Sequence, residues 1–317
     1  MAISEILNLH LKDLMKVIGM KHVVEVMGNE PGTLLIERHS GGFEEMPAPW
    51  FTSDWAMTLC RGLANELQLP FDGDRDPRLD VQLPGGHRVH WIIGPNIESG
   101  LSMTVRVKRP FKASFADFGL DETSAEAVQL QQAMIDGKAI MVSGGTSTGK
   151  TTLLDFLVGF IPSHRRVIIT EDVPELTRRH RNFVRLLVSR MVANTNMKPA
   201  DAIDSLVRMR PDVAGVGEIS VGNASAYLRI ANTGHDASFC TIHARTPWGA
   251  MRAIEQNVKM AGEDASGVID AVAEVVDLIV QVKASDAGGG RRIRAITDVV
   301  VPRELPEYRD YKSAGRR

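Results

Sequence analysis

The stretch Gly144-Gly145-Thr146-Ser147-Thr148-Gly149-Lys150-Thr151 constrains this chain more than any other. It fills the P-loop pattern G-x-x-x-x-G-K-[ST] in full. Such a loop works between the end of a strand and the start of a helix. Its inward-facing backbone N–H groups and the helix dipole must both point at one phosphate. Both flanks are here: Ala139–Ser143 is a short apolar run, and Lys150–Phe160 has helical spacing. A glycine-rich turn with a chance lysine would need neither. Lys150 is therefore expected to reach the β- and γ-phosphates of a nucleotide, and the Thr151 hydroxyl to coordinate Mg²⁺. Gly144, Gly145, Thr146, Ser147, Thr148, Gly149 and Thr152 complete the expected nucleotide cradle.

Around this loop the pattern is strand, loop and helix in alternation, which predicts an α/β unit with a mainly parallel sheet. Arg166–Thr170 is a second strand ending at Glu171-Asp172, Val213–Gly217 a third ending at Glu218, and Ser238–Ile242 a fourth ending at His243. Open α/β sheets bind ligands at the carboxyl ends of their strands, where these polar groups fall. A P-loop enzyme needs a carboxylate for its metal and one for the attacking water. The Glu171-Asp172 pair and Glu218 are the candidates, although an acid after a strand can also cap a helix. Spacing does not decide which polarises water and which supports Mg²⁺. His235 and His243 flank the fourth strand. With no cysteine or third histidine to complete a zinc set, His243 is read as a hydrogen-bond donor to phosphate or water.

The first ~110 residues read differently, as short strands with few helices. Thr33–Arg38, Leu79–Leu83, His87–Ile93 and Ser102–Val107 are strand candidates, with Pro84-Gly85-Gly86 as a hairpin turn. Thr52–Leu67 is helical, capped by Thr52 or Ser53. Periodicity lapses near Pro110–Leu120, before a helix over Ser124–Ile135. The expected organisation is thus an α+β domain over 1–110, a linker over 111–122 and the P-loop domain over 123–317. Leu7, Leu11, Leu14 and Ile18 share one helical face, read as packing on the chain's own domain or a neighbouring subunit. Membrane-surface attachment is the lesser reading, since Lys12 and Lys16 supply the positive charge there. A formal charge of −2 over 317 residues argues against a globally basic nucleic-acid binder. Two cysteines, Cys60 and Cys240, are too few for a disulfide framework and read as buried thiols in a reducing compartment. No apolar run reaches the ~18 residues of a membrane span.

The P-loop is followed by Ile169-Thr170-Glu171-Asp172-Val173-Pro174-Glu175-Leu176, then by Arg208-Met209-Arg210-Pro211-Asp212 running to Gly217-Glu218, then by Thr233-Gly234-His235 to Thr241-Ile242-His243-Ala244. This order resembles the Walker A, Asp box, Walker B and His box of the secretion ATPases, over roughly Lys138–Ala244. Within them the chain is most similar to the VirB11-type traffic ATPases of type IV secretion and conjugation. It lacks the four-cysteine zinc motif common in type II and pilus-extension motors. Leu83-Pro84-Gly85-Gly86-His87-Arg88 and Ser102-Met103-Thr104-Val105-Arg106 look like the VirB11-type N-terminal domain running into its linker. Two departures stand out: Ser220 where the family usually has Arg, and Ala237 where the His box often has Gly.

The resemblance implies an α+β N-terminal domain and a RecA-like ATPase domain that hydrolyses ATP with Mg²⁺. It implies a homo-hexamer at the cytoplasmic side of the bacterial inner membrane, peripheral to it, working with channel proteins and an exported substrate. By position, Lys150 and Thr151 bind phosphate and Mg²⁺, Glu218 is the Walker B acid and a metal-site residue, and Glu171 is the Asp-box acid. His243 lies near the γ-phosphate, and Arg106 reaches nucleotide phosphate from the N-terminal side. The competing readings are a type II or pilus-type motor, a nucleic-acid translocase and a non-hydrolysing scaffold. The translocase reading rests on the basic cluster Arg178-Arg179-His180-Arg181 with Arg185, which has no interleaved aromatic platform. Direct nucleic-acid binding is therefore not expected.

Overall fold

The computed structural model describes residues 3–38, 41–73, 76–109, 111–188, 197–231, 237–286 and 292–315. It contains two compact units, the first running to Phe111 and the second starting at Lys112.

The first unit begins with α1 (Glu5–His10) and α2 (Lys12–Gly19), followed by β1 (Val23–Glu30), β2 (Gly32–Arg38) and β3 (Phe43–Ala48). Then come α3 (Ser53–Leu67), β4 (Arg78–Leu83), β5 (His87–Ile93) and β6 (Leu101–Arg106). The strands form a six-stranded sheet in the order β3-β2-β1-β6-β5-β4, antiparallel at every pairing. Alternation explains the pattern: in β5, His87, Val89, Trp91 and Ile93 face the core while His90 is exposed. Thr52 accepts the Trp55 N–H and starts α3. Trp55, Phe51 and Trp91 pack edge-on and tilted beneath it. Leu7, Leu11, Leu14 and Ile18 are buried in this same core. That is own-domain packing, and it leaves Ile6 and Leu9 exposed on the opposite face.

The second unit contains α4 (Ala125–Asp136), β7 (Ile140–Gly144), α5 (Lys150–Val158), β8 (Val167–Glu171) and β9 (Phe183–Leu187). It continues through α6 (Pro199–Arg208), β10 (Val213–Val216), α7 (Ala224–Ala231), β11 (Ser238–His243) and α8 (Pro247–Met260). It ends with α9 (Val268–Val275), β12 (Leu278–Asp286), β13 (Arg292–Val300) and α10 (Pro306–Ser313). The sheet order is β13-β12-β7-β11-β10-β8-β9, and the pairings from β12 through β9 are parallel. A parallel sheet must be covered on both faces, and two buried clusters do this. Ile140 and Val142 of β7 turn toward α4 and α5, whereas Met141 turns toward the cluster built from α6 to α9. Segment 111–122, expected as a linker, carries a short 3₁₀ turn at Phe115–Phe118 whose two phenylalanines are buried in the α4–α5 core. His235, expected beside the fourth strand, lies outside the described residues.

Candidate active site

Strand register brings the site together. Gly144 at the end of β7 pairs with His243 at the end of β11. Val216 at the end of β10 is opposite Cys240 on one side and Thr170 on the other. The P-loop, Glu218, His243 and Glu171 therefore share the carboxyl edge of one sheet.

The P-loop curls on itself. Its Thr148 hydroxyl donates to the Gly145 carbonyl at 2.9 Å, and Lys150 Nζ donates to the same oxygen at 2.9 Å. Gly149 caps α5 with φ at 95°, a left-handed conformation that disfavours side chains. A Cβ there would also stand 2.7 Å from the Arg294 side chain. Lys150 is buried despite its charge, which fits a group awaiting an anion at the helix N-terminus.

From Lys150 a polar chain runs to Glu218. Lys150 Nζ donates to His243 Nδ1 at 3.2 Å, and His243 Nε2 stands 3.4 Å from Glu218 Oε1. An ammonium can only donate, so Nδ1 presents its lone pair and the ring proton sits on Nε2, facing the carboxylate. Burial and the Lys150 charge hold the imidazole below its ordinary pKa, against a smaller upward pull from Glu218. The ring is thus neutral at neutral pH. The lysine beside it also argues against a metal-ligand role for His243.

Glu218 is exposed, with its backbone held from three directions. Thr241 Oγ1 donates to the Gly217 carbonyl at 2.6 Å, and Ile219 N–H bonds the Thr241 carbonyl at 2.8 Å. Asn223 accepts the Ser220 N–H at 2.8 Å and donates to the Glu218 carbonyl at 2.9 Å. Ser220, where the resemblance would put an arginine, serves this turn with its backbone. Gly217 lets the two acids' backbones approach, since a Cβ would meet Glu171 Cγ at 3.1 Å.

Glu171 is placed differently. Its carboxylate is buried. Oε1 accepts N–H bonds from Glu175 and Leu176 at 3.1 and 2.9 Å, and Oε2 accepts Arg185 Nε at 2.6 Å. Burial raises its pKa, partly offset first by the Leu176 N–H and then by Arg185. The structure thus joins Lys150, His243 and Glu218 in one chain and ties Glu171 into a separate one. Arg106 lies in the first unit, exposed at the end of β6 opposite Glu25 and Arg88.

The basic cluster is largely spent inside the unit. Arg179 pairs with Asp155 at 2.7 Å, His180 is buried with Nε2 2.9 Å from the Ile161 carbonyl, and Arg185 holds Glu171. Sequence reasoning missed Thr241, Asn223, Arg185 and Asp155 as contributors. The last two carried a signal, since a single charge inside an apolar strand or helix needs a partner.

Comparison with known proteins bears on this geometry. Residues 67–288 match the family model described as "Type II/IV secretion system protein". The conjugal transfer protein TrbB of Rhizobium radiobacter is 33% identical over 283 residues, covering 87% of this chain and 84% of that protein. The VirB11 protein of Agrobacterium fabrum is 29% identical over 318 residues, covering 90% of this chain and 91% of its own. Among solved structures, the pilus retraction motor PilT with bound ADP has a TM-score of 0.66 at 18% identity, covering 99% of this chain and 87% of that chain. The Legionella pneumophila ATPase DotB gives 0.63 at 19%, with 99% and 85% covered. At these identities the two structures speak for the fold alone. The family match and the TrbB relationship settle the kinship: the chain belongs to the type II/IV secretion system family and is a nucleotide-using P-loop ATPase within it.

Proposed function

We propose that the chain is a VirB11-like ring ATPase, a hexamer that couples ATP hydrolysis to substrate export or assembly at the cytoplasmic side of a type IV secretion channel. Its relatives named for conjugal transfer and type IV secretion support this reading. No helix among the described residues is long and apolar enough to cross a membrane. This fits a protein held at the inner face of the inner membrane by its partners.

The observation that carries the chemistry is the Lys150–His243–Glu218 chain at the sheet's carboxyl edge. The P-loop N–H groups and Lys150 bind the β- and γ-phosphates. As Lys150 turns to phosphate, His243 Nδ1 loses its donor, and the ring can then donate to a γ-phosphate oxygen once its proton moves to Nδ1 or a second proton is taken up. Glu218, exposed and engaged through Oε1 among the described residues, keeps lone pairs with which to orient the attacking water. The donor set is one hydroxyl, Thr151, and one carboxylate, Glu218, which fits Mg²⁺ because that ion is usually shared with substrate phosphates and water. Bound there, Mg²⁺ would spread the charge developing on the phosphoryl oxygens. By the resemblance alone, Arg106 is the residue that would add a permanent cation at nucleotide phosphate.

The test is phosphate release by the full chain, with native mass measured in non-hydrolysable ATP. Wild type should turn over and assemble as six copies, and Lys150→Ala should lose turnover. A variant with near-wild-type release would overturn the site, and a monomer at all nucleotide concentrations would overturn the ring.

A further inference from the structure

The loop after β8 is gripped from both ends, and the chemistry above uses neither grip. At one end Arg185 holds Glu171 Oε2 through Nε and the Leu176 carbonyl through Nη2, while Glu171 Oε1 takes the N–H groups of Glu175 and Leu176. At the other end is Asp155, on α5. Its Oδ1 accepts the Thr177 N–H at 2.5 Å, and its Oδ2 accepts the Thr177 hydroxyl at 3.0 Å and Arg179 Nη2 at 2.7 Å. Asp155 stands five residues beyond Lys150 on the same helix. A continuous set of hydrogen bonds therefore runs from β9, through Glu171 and the loop, to the helix that carries the phosphate-binding lysine.

A carboxylate buried to this depth and already accepting three N–H bonds has little capacity left for a water. Its role fits a brace. We propose that Arg185 is a positioning residue for ATP hydrolysis: with Glu171 it fixes the loop Asp172–Leu176, and through Asp155 that loop sets the P-loop helix. Glu171 is then the acceptor of the brace and not the water-activating acid. The proposal rests on the ATPase reading and deepens it by separating the roles of two acids that spacing left equivalent.

The pair makes the test specific. Arg185→Gln strands a buried carboxylate, whereas Glu171→Gln sets an amide donor against the guanidinium. Together the two amides remove both charges and can bond each other. In the full chain, Arg185→Gln should lower kcat about tenfold and Glu171→Gln about fivefold, each with KM for ATP changed less than about twofold. The double variant should recover to within about threefold of wild type, a coupling that neighbours in one network show. Glu218→Gln should lose about 100-fold with or without these changes. Hydrogen exchange in Arg185→Gln should speed up at 172–179 and in the first turn of α5, and Asp155→Asn should give the effect in α5 and at 177–179 while leaving Glu175 and Leu176 protected.

Glu171→Gln as damaging as Glu218→Gln, with no recovery in the double variant, would overturn the proposal, as would wild-type kcat in Arg185→Gln. If Arg185→Gln does not fold, Glu171→Gln and Asp155→Asn decide by the same criteria. An inactive wild-type chain would fail the ATPase reading instead, and the exchange pattern would still judge the brace.

Discussion

Thr241→Val removes one oxygen from beneath Glu218, the proposed hydrolytic acid, and leaves the shape of the side chain nearly intact. The Thr241 hydroxyl is buried and donates to the Gly217 carbonyl at 2.6 Å, one residue before Glu218. Valine leaves the carbonyl of half-buried Gly217 without its side-chain donor, on the side that packs against β11. An orphaned buried acceptor costs about 1–3 kcal/mol. At about 2–4 °C per kcal/mol for a domain of this size, melting of the ATPase unit should fall by about 2–12 °C. The functional cost follows from geometry, because the Gly217–Ile219 segment is pinned to β11 by this bond and by Ile219 N–H to the Thr241 carbonyl. With half of the pin gone, Glu218 is less well aimed, and kcat should fall about tenfold with KM for ATP little changed. Thr241→Ser keeps the hydroxyl and should lose about 1 kcal/mol for the missing methyl, with kcat retained. The assay is a thermal melt beside steady-state phosphate release for both variants. Valine matching wild type in both would refute the claim that β11 aims the acid.

Two further outcomes follow from charge and burial. His243 is held below its ordinary value of 6.5, so the unfolded chain takes up its proton first as pH falls. Stability should decline below about pH 6.5 as imidazolium is forced against Lys150, turnover should decline at lower pH, where the folded chain itself takes up the proton, and that acid limb of turnover should vanish in His243→Gln. A limb unchanged in that variant would assign it to another group. Burial pushes the Cys240 thiol up to about 12 and Cys60 also well above its usual range, so neither should be alkylated by iodoacetamide at pH 8 in the native state. Rapid labelling of either without unfolding, read by mass spectrometry, would contradict their packing.

The legible parts of this fold were those with a strict local rule. A P-loop fixes its strand and helix within a residue or two, and β7, β8, β10 and β11 are short apolar runs buried on both faces. Strands lacking that regularity escaped notice. In β1 the glycine and acids of Val23–Glu30 blur the alternation, and β3 carries Glu44, Glu45 and Pro47 at the edge of its sheet. β9 is only half-buried because it forms the other sheet's edge. Phe115 and Phe118 looked like linker because one turn is too short to show a period, yet they anchor the second unit's core. At the site, residue type and strand end placed Lys150, Glu218 and His243 correctly on one edge. The pairing of Glu171 with Arg185 lay beyond local spacing, since the partners meet only when β8 and β9 align in parallel.

The account stands most directly on Glu218. Glu218→Gln should bind Mg²⁺-ATP within about threefold of wild type, because the amide oxygen can still face the metal and the P-loop, with the nucleotide's own phosphates, supplies most of the hold. Phosphate release should nonetheless fall about 100-fold as the charge that orients water is lost. Turnover preserved in that variant, or lost in step with binding, would contradict the assignment of Glu218 as the hydrolytic acid.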